Sequence, residues 1–148
     1  MLCLEYYGNT KNEQEITVSA VIENQKIVTE FIDNYLEKID CPLKIQMKID
    51  IAIDELFSNI AFYAYDGKEG DITVKINKIP DCDSVEITFI DSGKAYNPLE
   101  KEDPDVTLSA EERKIGGLGI FIVKKNMDAI SYNYINNQNV LTIRKNLF

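Results

Sequence analysis

Apolar residues along this chain recur with two different periods, and the order of those periods outlines a fold. Glu15-Ile16-Thr17-Val18-Ser19 alternates like a strand with one buried side. Val28, Phe31, Ile32, Tyr35, Leu36 and Ile39 then recur every three or four residues, which predicts a helix that stops at Pro42. A second helical stripe carries Ile45, Ile49, Ile53, Leu56, Ile60 and Ala64, and Asp66-Gly67 and Gly70-Asp71 punctuate its end. Alternation returns in Ile72, Val74 and Ile76 and again, after Pro80-Asp81-Cys82-Asp83, in Val85, Ile87 and Phe89. These two segments read as a β-hairpin with one buried face.

Residues 98–114 break the pattern with a polar, acidic stretch that holds Glu100, Glu102, Asp103, Asp105, Glu111 and Glu112. Gly117-Leu118-Gly119 then opens a third predicted helix through Ile120, Val123, Met127 and Ile130. Residues 131–136 and 140–145 read as a closing hairpin around Asn136-Asn137-Gln138-Asn139. The order β-α-α-β-β-α-β-β predicts an α+β fold in which the helices cover one face of a mostly antiparallel sheet. Residues 1–14 are polar and unpatterned and read as an N-terminal extension, with residues 15–148 as a single domain.

Composition narrows the function more than the fold. With 148 residues there is room for one sizeable core and not for two ordinary domains. Hydrophobic residues make up 45% and charged residues 28%, the balance of a soluble globular protein. A formal charge of −9 and a pI near 4.5 argue against nucleic acid or an anionic membrane as partner. No apolar run approaches a membrane span and no secretion signal opens the chain, so a cytoplasmic protein is expected. Cys3, Cys41 and Cys82 form no CxxC and are expected to stay reduced. The absence of histidine excludes Ser-His-Asp and Cys-His catalysis, HExxH zinc sites and a phosphohistidine on this chain. Chemistry must rest on carboxylates, amides, lysines, backbone groups and a hard metal ion.

Three stretches carry candidate chemistry. Glu55 and Asn59 lie four residues apart in the second predicted helix, so a carboxylate and a carboxamide stack one above the other. Asn59 could hold Mg²⁺ through its amide oxygen while Glu55 orients or deprotonates a nucleophile. Asp91-Ser92-Gly93 follows a predicted central strand, where a carboxylate can accept from an exocyclic amine such as that of adenine. The glycine there would let a ring approach the backbone. Gly116-Gly117-Leu118-Gly119 precedes an apolar helix and leaves backbone N–H groups open to phosphate. Taken singly, these are also a polar helix flank, an ordinary turn and a flexible loop before a helix. The glycines form neither a Walker A loop nor a dinucleotide-binding fingerprint. Lys94, Lys101, Arg113 and Lys114 could neutralise phosphates or be solvated charges.

Taken in order, E-x-x-x-N, D-x-G-x-x-x-x-P and G-G-L-G opening a helix resemble the GHKL ATPase superfamily. Within it, the chain is most similar to the anti-sigma-factor serine kinases of the RsbW type. The matching stretches are residues 52–59 with Ala64-Tyr65, residues 91–98, residues 113–120 with Met127-Asp128, and Val140-Leu141-Thr142-Ile143. The resemblance implies the Bergerat fold, a two-layer α/β sandwich with about three helices on one face of the sheet. It implies Glu55 as catalytic carboxylate, Asn59 as Mg²⁺ ligand, and Asp91 on the adenine amine with Gly93 beneath the ring. Gly117, Leu118 and Gly119 would meet the phosphates, Thr142 would support Asp91 or an adenine-bound water, and residues 98–115 would be an ATP lid. ATP or ADP with Mg²⁺ are the implied cofactors, and a sigma factor and a small antagonist protein the implied partners, with a homodimer as the assembly. The function so implied is phosphorylation of the antagonist and sequestration of the sigma factor. The alternative is a nucleotide-gated binding module without catalysis. Tyr63 stands where these kinases often carry histidine, flanking the site.

Overall fold

The computed structural model describes residues 12–100 and 118–148. Its elements are β1 (Gln14–Ser19), α1 (Gln25–Lys38), α2 (Leu43–Tyr63), β2 (Asp71–Ile79), β3 (Ser84–Asp91), α3 (Leu118–Asn126), β4 (Ala129–Ile135) and β5 (Gln138–Asn146), with short 3₁₀ turns at Ile22–Asn24 and Pro98–Glu100. The strands form one antiparallel sheet in the order β1-β2-β3-β5-β4. This is the α+β, helix-on-sheet architecture that the alternating periods predict.

Period-two alternation decides which face of the sheet is buried. Ile72, Val74 and Ile76 of β2, Val85, Ile87 and Phe89 of β3, and Leu141 and Ile143 of β5 are all buried. They pack against Val28, Ile32 and Leu36 of α1, Ile49, Ile53 and Phe57 of α2, and Ile120 and Val123 of α3. Removing a large side chain from such a core costs about 2–5 kcal/mol. α1 ends where Asp40 turns into the left-handed region at φ 55°, and α2 starts directly after Pro42. The β4–β5 hairpin is closed by Asn136 and Asn137, with φ of 54° and 63°, a two-residue turn whose twist suits antiparallel strands.

Two expectations change. Helical spacing extended the third helix to Ile130, but α3 ends at Asn126 and Ile130 lies in β4, paired with Ile143. Asp128 makes the break: its N–H donates to the Arg144 carbonyl and its carboxylate accepts from the Asn146 N–H, which starts sheet pairing. Cys41 keeps a free thiol, whereas Cys82 is disulfide-bonded, against the expectation of three reduced cysteines.

A carboxyl pair interrupts the packing of α1 on α2, one turn from the hydrogen bond that Thr29 of α1 donates to Asp54 of α2 (3.3 Å). Asp33 of α1 lies within hydrogen-bonding reach of Asp50 of α2, and Oδ1 of each is buried without a partner. A single proton shared between the two carboxyls would supply both oxygens. Burial, the Asp33 hydrogen bond and the charges of Asp33 and Asp54 push Asp50 up to about 8.

Candidate functional site

A cavity of about 590 Å³ opens between α2, the C-terminal end of β3, the start of β5 and the first turn of α3. It is the size of a small-molecule site. Glu55, Asn59, Asp91, Leu118 and Gly119 all line it. Residues separated by more than sixty positions in sequence are therefore drawn to one place.

Asp91 is 5% exposed at the end of β3. Its Oδ1 accepts from the Gly93 backbone N–H (2.9 Å) and from the Asn139 amide (2.9 Å). Burial pushes its carboxyl up, and these two hydrogen bonds pull it back. Both bonds fall on one oxygen, so Oδ2 is the acceptor that this cavity-lining residue has left for a donor. Gly93 is not among the residues that line the cavity. A Cβ there would overlap the backbone carbonyl of Ala64, so the turn can pack on the end of α2 only as glycine. The Lys94 N–H donates to that same carbonyl (3.0 Å).

Tyr65 braces the turn from below. Its hydroxyl accepts from the Ser92 N–H (2.8 Å) and donates to the Asp71 carbonyl (2.6 Å), which ties the end of β3 to the start of β2. The ring lies where a side chain at Gly70 would be, so Gly70 is what admits it.

At the other end of the cavity, α3 begins beside Glu55. A Cβ on Gly119 would overlap the Glu55 carboxylate, so that glycine lets the helix start against it. Glu55 and Asn59 face the cavity from successive turns of α2. Among the described residues, no group of three or more acidic, cysteine or histidine side chains could hold a metal ion. Asn59 can supply one hard oxygen, and a Mg²⁺ held here would take its remaining ligands from phosphate and water. The residues present fit that way of holding the ion.

Thr142 is not at the site, which corrects the expectation placed on it. Its hydroxyl shares a hydrogen bond with Thr88 (3.1 Å), its cross-strand neighbour, on the side of the sheet away from the helices. Leu141 and Ile143 point into the core, and strand alternation turns Thr142 outward. The support for Asp91 comes from Asn139 instead. Asn139 is 5% exposed, and its amide donates to Asp91 and to the Lys94 carbonyl (2.9 Å). Its carbonyl oxygen accepts from the Tyr96 N–H (3.1 Å) and from the Tyr132 hydroxyl. The sequence held one signal for this: counting back from Leu141 by two places residue 139 on the cavity side.

Lys94 lines the cavity and is paired with Asp66 at 2.8 Å. Tyr63 also lines it, largely exposed. Gly117, Lys101, Arg113, Lys114 and most of the expected lid lie outside the described residues.

Among the described residues, an antiparallel five-stranded sheet with three helices, cut by a cavity that joins an E-x-x-x-N helix, a D-x-G turn and a glycine-bearing helix start, defines an ATPase-domain class. The chain belongs to the family of histidine kinase-like ATPase domains, whose match spans residues 16–145. It is 22% identical over 138 residues to an anti-sigma F factor of Anoxybacillus flavithermus, covering 93% of this chain and 94% of that one. It is 31% identical over 91 residues to the serine-protein kinase RsbW of Listeria monocytogenes, covering 58% of this chain and 57% of the relative. Among solved structures, its fold is similar to the crystal structure of the RsbU and RsbW domains of Rv1364c from Mycobacterium tuberculosis. The TM-score there is 0.65 at 19% identity, over 91% of this chain. This chain spans about a third, 32%, of that longer protein.

Proposed function

We propose that the cavity binds ATP with Mg²⁺ and that the chain is a protein serine/threonine kinase of the anti-sigma type. The observation that carries this reading is the distribution of groups in one cavity. A buried carboxylate with a single open oxygen stands at one end, and a carboxylate, an amide and a helix start stand at the other. That arrangement suits an adenine amine at Asp91 and phosphates near α3 and Asn59. Mg²⁺ would offset charge on the γ-phosphate when bound. Glu55 would take the proton from an acceptor hydroxyl as its oxygen bonds to the γ-phosphorus and ADP leaves. Such transfer depends chiefly on positioning and electrostatics.

The name anti-sigma F factor supports a sigma factor held on a second surface, and the name serine-protein kinase supports a protein phosphoacceptor, for which the proposal takes a small antagonist protein. A homodimer, a cytoplasmic setting and a lid over residues 98–115 belong to the same proposal. Among the described residues, no helix is long and apolar enough to cross a membrane. The contact between Gly119 and Glu55 favours a second reading, a nucleotide-gated module in which Glu55 braces α3 and does no chemistry.

Labelled ATP, Mg²⁺ and the antagonist encoded nearest this chain decide between them. The kinase reading expects phosphoserine or phosphothreonine that Glu55→Ala abolishes while ATP still binds. ATP binding with no transfer by the wild-type protein selects the module.

A further inference from the structure

We propose that Asn139 determines which purine the cavity accepts, by filling one oxygen of Asp91. This rests on the nucleotide reading above. The orientation of the Asn139 amide is set by its neighbours. Its oxygen faces two donors, the Tyr96 N–H and the Tyr132 hydroxyl. Its nitrogen faces the Asp91 carboxylate and the Lys94 carbonyl, which are acceptors. Rotating the amide by half a turn would set donor against donor and acceptor against acceptor, so only one orientation satisfies the site.

The consequence falls on Asp91. Oδ1 receives two N–H groups, from Gly93 and from Asn139, which takes up its two lone-pair directions. Oδ2 is left as a single acceptor. Adenine presents one amine on its pairing edge and needs one acceptor. Guanine presents N1–H and the N2 amine side by side, a pair that matches a carboxylate only when both oxygens are open. With Oδ1 taken, a guanine placed on Asp91 keeps one buried donor without a partner. That should weaken binding by roughly ten- to a hundredfold. Asn139 touches no reacting atom, and it acts on the base through Asp91.

Titration calorimetry of the wild-type chain with ADP, IDP and GDP tests the one-acceptor site directly. Inosine keeps N1–H and lacks the N2 amine, so IDP should bind about tenfold or more tighter than GDP, and ADP should also exceed GDP. In Asn139→Ala, only the Gly93 N–H remains on Oδ1, which regains one lone-pair direction, and the ADP-over-GDP ratio should fall by about tenfold. Asn139→Thr, whose hydroxyl can still donate to Asp91, should restore the wild-type ratio, and circular dichroism melts establish that each variant is folded. IDP no tighter than GDP on the wild-type chain, or an unchanged ratio in folded Asn139→Ala, overturns the inference. Binding of none of the three by the wild-type chain instead overturns the nucleotide reading itself.

Discussion

Replacing Asp33 with asparagine should change how the stability of this chain depends on pH. In the native structure, Asp33 and Asp50 face each other between α1 and α2, each with a buried, unpartnered oxygen that a shared proton would serve. The other titratable groups acting on the pair are Asp54, on the next turn of α2, and the Cys41 thiol, whose titration the Asp50 charge raises; no cation figures among the causes of the Asp50 shift. Asp50 is raised from 3.8 to about 8, so the folded chain holds a proton that the unfolded chain releases. The pair's stabilisation is therefore full below about pH 4 and is lost as pH rises towards 8. At ~1.4 kcal/mol per unit the whole shift would be worth about 6 kcal/mol. Solvent reaches part of both carboxyls, so about 2 kcal/mol is expected between pH 5 and 8. Asp33→Asn supplies a permanent N–H to Asp50 and needs no shared proton. The variant should match wild type near pH 5 and exceed it by about 2 kcal/mol at pH 8. Urea unfolding followed by circular dichroism suits a chain with no tryptophan. A difference between variant and wild type that stays constant from pH 5 to 8 would refute the shared proton.

Two further substitutions probe the Asp91 turn. Gly93→Ala forces a methyl group into the Ala64 carbonyl, and the turn must lift from α2; a loss of about 2–4 kcal/mol in urea unfolding is expected, with weaker ADP binding. Tyr65→Phe removes both hydrogen bonds of the hydroxyl and leaves the Ser92 N–H unpaired, which should cost about 1–3 kcal/mol and speed hydrogen exchange at Ser92. An unchanged exchange rate at Ser92 would mean that the brace carries no load.

Much of the fold was legible because periodicity and core agree. The apolar positions of β2 and β3 fall on the buried face, and the stripes of α1 and α2 meet them. The α3–β4 boundary was not legible, because Met127 and Ile130 both pack on the core and their spacing matches a helical stripe. Asp128 decides the matter through partners on β5, which no local pattern contains. At the site, Glu55, Asn59 and Asp91 could be read as an ordered set before their distances were known. Asn139 was obscured despite its strand phase with Leu141, because it sits last in Asn-Asn-Gln-Asn, which reads as a turn. Only the two-residue turn at Asn136 and Asn137 releases it into β5 opposite Asp91. The Asp33–Asp50 pair joins two helices whose separate sequences give no hint of contact.

On the proposed function, ATP occupies this cavity and is held at Asp91. Thermal unfolding with and without Mg-ATP tests it most directly, in the wild-type chain and in Asp91→Asn. At a ligand concentration one hundred times the dissociation constant, binding adds about 2.7 kcal/mol, which for a domain of this size raises Tm by roughly 5–10 °C. That rise is expected in the wild-type chain and should be lost in Asp91→Asn. No rise at millimolar Mg-ATP, or an equal rise in both proteins, would contradict it.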